Sequence, residues 1–164
     1  MWRRVAPGFP LVRCVVAVVG RPRDAALASA IHDYETRAAR YWPLTVVEVK
    51  GERSAAMPAA DVRKREGTRL AAAVTCARVV ACVEGGTSYS SGAFASWLQR
   101  AREAGRDLAF VIGGAHGLEP GFVAGAPERL SLAPWTLPHE LARLVLAEQL
   151  YRAGTIVGGE PYHK

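Results

Sequence analysis

Apolar residues fall along this chain in two rhythms: short unbroken runs, and longer stretches in which they recur every three or four positions. Residues 11–19, rich in valine and ended by Gly20, predict a strand buried on both faces. Leu27, Ala30, Ile31, Tyr34, Ala38 and Tyr41 then follow the spacing of one helix face, which Pro43 stops. Residues 45–49 predict a second strand, and residues 50–60, with Gly, Pro and several charges, a mobile loop. A helix over 61–74 carries a basic outer face of Arg63, Lys64, Arg65 and Arg69. A third strand over 78–83 leads into a loop at 84–91. Ser91 is placed to cap a helix whose stripe is Phe94, Trp97, Leu98 and Ala101 and which ends at Gly105. A fourth strand over 108–112, a short helix over 121–126, a fifth strand over 129–132 and a long helix over 138–153 complete the pattern, with Pro138 in the first turn. Strands alternating with helices predict an α/β fold built on a mostly parallel sheet flanked by helices.

Length and charge narrow this picture. At 164 residues the chain makes one domain, placed at 11–164, with 1–10 read as an N-terminal extension. Met1-Trp-Arg-Arg4 opens like a signal peptide, but Pro7, Pro10 and Arg13 break the apolar stretch that should follow. No apolar run approaches the roughly 20 residues of a membrane span, so a soluble protein is expected. Against 15 acidic residues stand 21 basic ones, a formal charge of +6. Such an excess suits a polyanionic partner and equally a merely solubilising surface. The three cysteines, Cys14, Cys76 and Cys82, form neither a disulfide framework nor a zinc-site spacing, which suits a reducing compartment such as the cytoplasm. Cys14 and Cys82 fall inside predicted strands and read as small buried apolar residues.

Chemistry-bearing segments crowd the last third. Leu132-Ala-Pro-Trp-Thr-Leu-Pro-His139 is a proline-bearing loop that runs into the long helix and can wrap a small ligand with its backbone amides. Gly113-Gly-Ala-His-Gly117 follows a strand, where open α/β sheets bind small molecules, although glycines also serve such turns for conformation alone. The dinucleotide fingerprint with its distal acidic residue is missing, as are the phosphate-loop and zinc-protease motifs, so those three chemistries are disfavoured. Ser88, Ser90 and Ser91 lack a nucleophile elbow and read as solvated turn residues. His139, Arg152, Tyr162 and His163 each have a plain reading: a local hydrogen bond, a helix-dipole partner, a fraying terminus. Taken together, they are polar groups able to orient an anionic substrate or move a proton beside the two loops.

Five ordered motifs carry a resemblance: Phe110-Val-Ile-Gly-Gly-Ala-His-Gly-Leu118, Leu130-Ser-Leu132, Thr136-Leu-Pro-His139, Glu148-Gln-Leu-Tyr-Arg-Ala153 and Pro161-Tyr-His-Lys164. With these the chain resembles the bacterial ribosomal RNA large subunit methyltransferase H family of the SPOUT class, strongly from residue 108 onward. The resemblance implies a C-terminal trefoil knot, an exception to un-knotted topology, and a homodimer whose tails reach into the partner's pocket. It further implies S-adenosylmethionine as methyl donor, no metal, and methylation at N3 of a pseudouridine in helix 69 of 23S ribosomal RNA in the assembled ribosome. Carried over, Val83, Gly114, Ala133, Pro134, Trp135, Thr136, Leu137 and Pro138 would contact the cofactor, largely through backbone, and His139, Arg152, Tyr162 and His163 would face the RNA. N3 must lose a proton, and histidine has the reference pKa closest to neutrality, about 6.5, so His139 or His163 is the candidate acceptor and Arg152 the charge stabiliser. Arg21, Arg23, Arg63, Lys64 and Arg65 would give salt-sensitive phosphate contacts.

The chain also departs from that family. Glu84-Gly-Gly-Thr87 replaces the usual Asp-x-x-Gly-Lys and lacks the lysine, Gly92-Ala93 replaces a commonly acidic pair, and Trp135 stands where a smaller or more flexible residue is usual. The alternative reading is therefore a non-catalytic ribosome- or RNA-binding protein that keeps the SPOUT fold. A SPOUT enzyme acting on another RNA is a third.

Overall fold

The computed structural model describes residues 12–53, 55–75 and 77–164; the expected N-terminal extension and Cys76 lie outside them. The elements run β1 (Cys14–Val19), α1 (Ala25–Ala38), β2 (Leu44–Val49), α2 (Ala59–Ala73), β3 (Arg78–Thr87), α3 (Ser91–Glu103), β4 (Leu108–Ile112), α4 (Pro120–Gly125), β5 (Glu128–Leu130) and α5 (His139–Val157), then a 3₁₀ turn at Pro161–His163. The five strands form one sheet in the order β2-β1-β4-β3-β5, every pairing parallel.

Side chains alternate across a strand, and here the alternation divides two cores. Cys14, Val16 and Val18 of β1, with Leu108, Phe110 and Ile112 of β4, face Phe94 and Leu98 of α3 and Leu146 and Leu150 of α5. Ala17, Val19, Ala109 and Val111 face the other way, onto Leu70 of α2 and Phe122 beyond β4. All five residues of β4 are buried, as the unbroken apolar run predicts for a central strand. Two contacts fix α5 against the N-terminal half. Trp42 Nε1 donates to the Leu150 carbonyl at 2.8 Å, and a Cβ on Gly154 would stand 2.5 Å from Tyr41 Cβ, so only glycine permits that approach. Arg143, 7% exposed, binds Glu35 of α1 at 2.7 Å and Glu48 of β2 at 2.9 Å. Burial works to lower its pKa, but the hydrogen bonds from both carboxylates outweigh that and raise it.

Several boundaries differ from the sequence reading for identifiable reasons. β3 continues to Thr87 where a loop was expected from Glu84. Leu130 partners both Cys82 and Thr87 across a register shift, and a Cβ on Gly86 would stand 2.5 Å from the Leu130 carbonyl carbon. Glycine there lets the strand lie against β5. The cap of α3 is Ser90, which accepts from Ala93 N at 3.2 Å; Ser91 instead starts the helix and donates to Gln149 at 2.9 Å. Pro138 is the N-cap of α5, and that helix runs past Ala153 to Val157 because its second half packs on α1. The segment after β2, expected to be mobile, is clamped to α2 at its start. Arg69 donates to the Lys50 carbonyl at 2.7 Å and pairs with Glu52, whose amide donates to Glu66 at 3.1 Å. Cys14 and Cys82 are strand residues whose thiols burial pushes up to about 12, in keeping with an apolar role.

Candidate active site

β4 ends at Ile112, just past its last pairing with β3 at Ala81–Val111, while β3 runs on to Thr87, and the two open there onto one cleft of about 640 Å³. That volume suits a cofactor-sized small molecule. Its lining comes from the middle of β3 (Cys82, Val83, Glu84), the turn after β4 (Gly113, Gly114, Ala115, Gly117, Leu118) and the segment before α5 (Leu132 to Pro138 except Pro134), with His139 and Ala142 from α5 itself. The turn is built by two glycines. At Gly113 a Cβ would stand 2.6 Å from Leu118 N, while Gly117, at φ +78°, takes the left-handed region that other residues avoid. The third wall is held by hydrogen bonds. Ser131 Oγ donates to the Ala133 carbonyl at 2.8 Å, its amide to the Thr87 carbonyl at 3.0 Å, and Thr136 Oγ1 donates to Glu84. Trp135 stands on the rim, 77% exposed. Most of what the cleft offers a ligand is therefore backbone and apolar surface, with Glu84 and His139 as its charged or titratable side chains besides the neutral thiol of Cys82.

Of the expected cofactor residues, Val83, Gly114, Ala133, Trp135, Thr136, Leu137 and Pro138 line this cleft and Pro134 does not; of the expected RNA-facing group, only His139 does. Arg152 lies thirteen residues along α5 from His139, about 20 Å at 1.5 Å per residue. There it joins a separate polar cluster. Arg152 Nε donates to Glu148 Oε1 at 2.9 Å, the Tyr162 hydroxyl reaches the same oxygen at 3.2 Å, and the guanidinium stacks 5.0 Å over the Tyr162 ring. Arg152 is five residues short of the helix end, so the dipole explanation does not apply; its hydrogen bond to Glu148 raises its pKa. Tyr162 is not frayed either: its ring packs 4.6 Å from that of Tyr151, and burial and the hydrogen bond with Tyr34 raise its pKa. His163 is exposed beside it. Glu148 organises this cluster and was passed over in the sequence, although a glutamate four residues before an arginine on one helix is a readable pair.

Residues 12–163 match the family model described as "Predicted SPOUT methyltransferase". The chain belongs to the SPOUT methyltransferase family. Among relatives of this SPOUT chain, "Ribosomal RNA large subunit methyltransferase H" of Gemmatimonas aurantiaca is 60% identical over 93% of the chain and all of the relative. The protein of that name from Anaeromyxobacter sp. (strain K) is 46% identical over 91% and 97% of the two chains. The crystal structure of a probable methyltransferase from Bordetella pertussis Tohama I superposes with a TM-score of 0.54 at 15% identity, covering 87% of this SPOUT chain and 96% of that one. That likeness is one of fold. Among the described residues no helix of the methyltransferase is long and apolar enough to cross a membrane, and no three His, Cys, Asp or Glu side chains gather as metal ligands.

Proposed function

We propose that this protein methylates N3 of a pseudouridine in helix 69 of 23S ribosomal RNA, using S-adenosylmethionine, on the assembled ribosome in the cytoplasm. The observation that carries the reading is the 60% identity, over 93% of this chain and all of the relative, with a protein named for large-subunit ribosomal RNA methylation. The five ordered motifs of the C-terminal half and the cleft between the end of β4 and the middle of β3 support it.

The cleft fits the cofactor by size and by a lining that includes the glycine turn and is largely backbone and apolar. Val83, Gly114 and the wall at Ala133, Trp135, Thr136, Leu137 and Pro138 would hold it, with Pro134 keeping the wall's bend. When bound, S-adenosylmethionine supplies an electrophilic methyl group. The protein's own part is to position the base in line with it and to take the N3 proton. His139, which lines the cleft, would take that acceptor role within one chain. Arg152 stands about 20 Å along α5 from it, with Tyr162 against its guanidinium and His163 next in the chain, so the three would complete a site only when a second copy lends its tail. We therefore include the homodimer in the proposal, each tail serving the partner's cleft, and with it the C-terminal trefoil knot. Arg21, Arg23, Arg63, Lys64 and Arg65 contribute phosphate contacts whose strength falls with salt.

The test is transfer of labelled methyl from S-adenosylmethionine to ribosomes that lack the modification, followed by mapping of the labelled nucleoside. Label on N3 of the helix 69 pseudouridine is the expected result. Ribosome binding without label would favour the non-catalytic alternative, and label elsewhere a different RNA target.

A further inference from the structure

Helix α2 buries a stripe at every fourth position, Val62, Glu66 and Leu70, and its middle member is a carboxylate only 5% exposed. An aliphatic residue is what this stripe calls for, because a charge in such a place is stable only when it is hydrogen-bonded. Glu66 Oε1 has its partner in the Glu52 amide at 3.1 Å. Oε2 is buried and has no hydrogen-bond partner among the described residues.

The direction of that second oxygen is informative. A Cβ on Gly114 would stand 2.7 Å from Oε2 and 3.4 Å from the carboxyl carbon, and one on Gly51 would stand 3.6 Å from Oε1. The carboxylate thus spans from the turn after β2 to the turn after β4, and glycine at 114 leaves it room. Gly114 lines the cleft and Glu66 does not, so Glu66 can reach a ligand only through the turn. A buried acceptor directly behind a glycine turn is what a backbone amide needs when that turn closes on a ligand.

We propose that Glu66 is a positioning residue of the cleft, its Oε2 accepting a hydrogen bond from a backbone amide of residues 113–117 when S-adenosylmethionine seats the turn. This rests on the cofactor reading above. The contact forms with the ligand and adds to affinity for it, leaving the RNA surface untouched.

Calorimetric titration of S-adenosylmethionine into the full chain and into Glu66→Gln tests it. Glutamine keeps the size and one acceptor but loses the second carboxylate oxygen. Binding by the variant should weaken by roughly tenfold, the loss of one hydrogen bond to a charged acceptor. The KM for S-adenosylmethionine should rise more than kcat falls, with the KM for ribosomes steady. In hydrogen exchange, amides of residues 113–117 should gain protection on ligand addition in the wild type and less in the variant. Wild-type affinity in Glu66→Gln, or a fall in kcat alone, would overturn the role. If the variant fails to fold, the wild-type exchange experiment decides alone: turn amides that gain no protection overturn it. A wild-type chain that takes up no S-adenosylmethionine overturns the cofactor reading itself, which sets that failure apart from the others.

Discussion

The hydroxyl of Tyr162 lies 3.3 Å from that of Tyr34, a hydrogen bond between residues 128 apart that ties the end of the chain to its first helix. The tail is therefore a docked element, resting also on Tyr151, and its removal has two separable effects. Deleting residues 161–164 should cost about 1 kcal/mol from the lost aromatic pair, a fall of roughly 2–4 °C in Tm. S-adenosylmethionine affinity should stay as it is, and methyl transfer to ribosomes should be lost. Turnover that survives the deletion would rule out the tail's part in the reaction.

Glu148 Oε1 holds both Arg152 and Tyr162, so one substitution should loosen both. Glu148→Gln is expected to lower kcat by about tenfold or more, the weight of a charge-assisted hydrogen bond, with cofactor binding unaltered because the cleft takes only His139 and Ala142 from the first turn of α5. Single-turnover methyl transfer, run beside a binding titration, separates the two quantities.

Arg143 is the bridge whose loss should be felt in folding first. Its side chain is 8% exposed and its partners Glu35 and Glu48 are 13% and 27% exposed. Replacing it with methionine strips Glu35 of this cation while Glu48 keeps the exposed Arg21, at a cost of roughly 3 kcal/mol. Urea denaturation should show a lower midpoint with an unchanged slope, and Glu35→Gln in the same chain should recover part of the loss.

Burial raises the thiols of Cys14 and Cys82 to about 12, against about 8.5 in an unfolded chain. Because the folded value is the higher, the stabilisation is fully present below about pH 8.5 and is lost as pH rises from there toward 12. Iodoacetamide at pH 8 should leave Cys14 unmodified in the native protein and label it in denaturant, as peptide mapping by mass spectrometry would show. Labelling of Cys14 in the native state would contradict its burial.

How far the sequence could be read follows from the range of the forces involved. The run at 108–112 announced a central strand because burial on both faces demands continuous apolar side chains, and β4 has those bounds. The glycine turn and the proline loop were legible as walls of one cleft because both follow strands of a parallel sheet. The long β3 was not, since its last residues owe their form to Leu130, more than forty positions away, approaching a glycine. The gap between His139 and Arg152 was legible in principle, as helix rise fixes it, but only once α5 was known to be unbroken. Glu66 escaped because a charge within an apolar stripe looks, in sequence, like a residue on the solvent face.

Helix α5 supplies Leu146, Leu150 and Ala153 to the larger core, and they are among its least exposed members. It is also synthesised after every strand of the sheet. Until it emerges, the sheet face formed by β1 and β4 is covered only in part, by Phe94 and Leu98 of α3, and Trp42 has no carbonyl to donate to. The nascent chain therefore carries an unfinished apolar surface through most of its translation, and premature termination anywhere before α5 yields a product suited to aggregation or to capture by chaperones rather than to a partial fold.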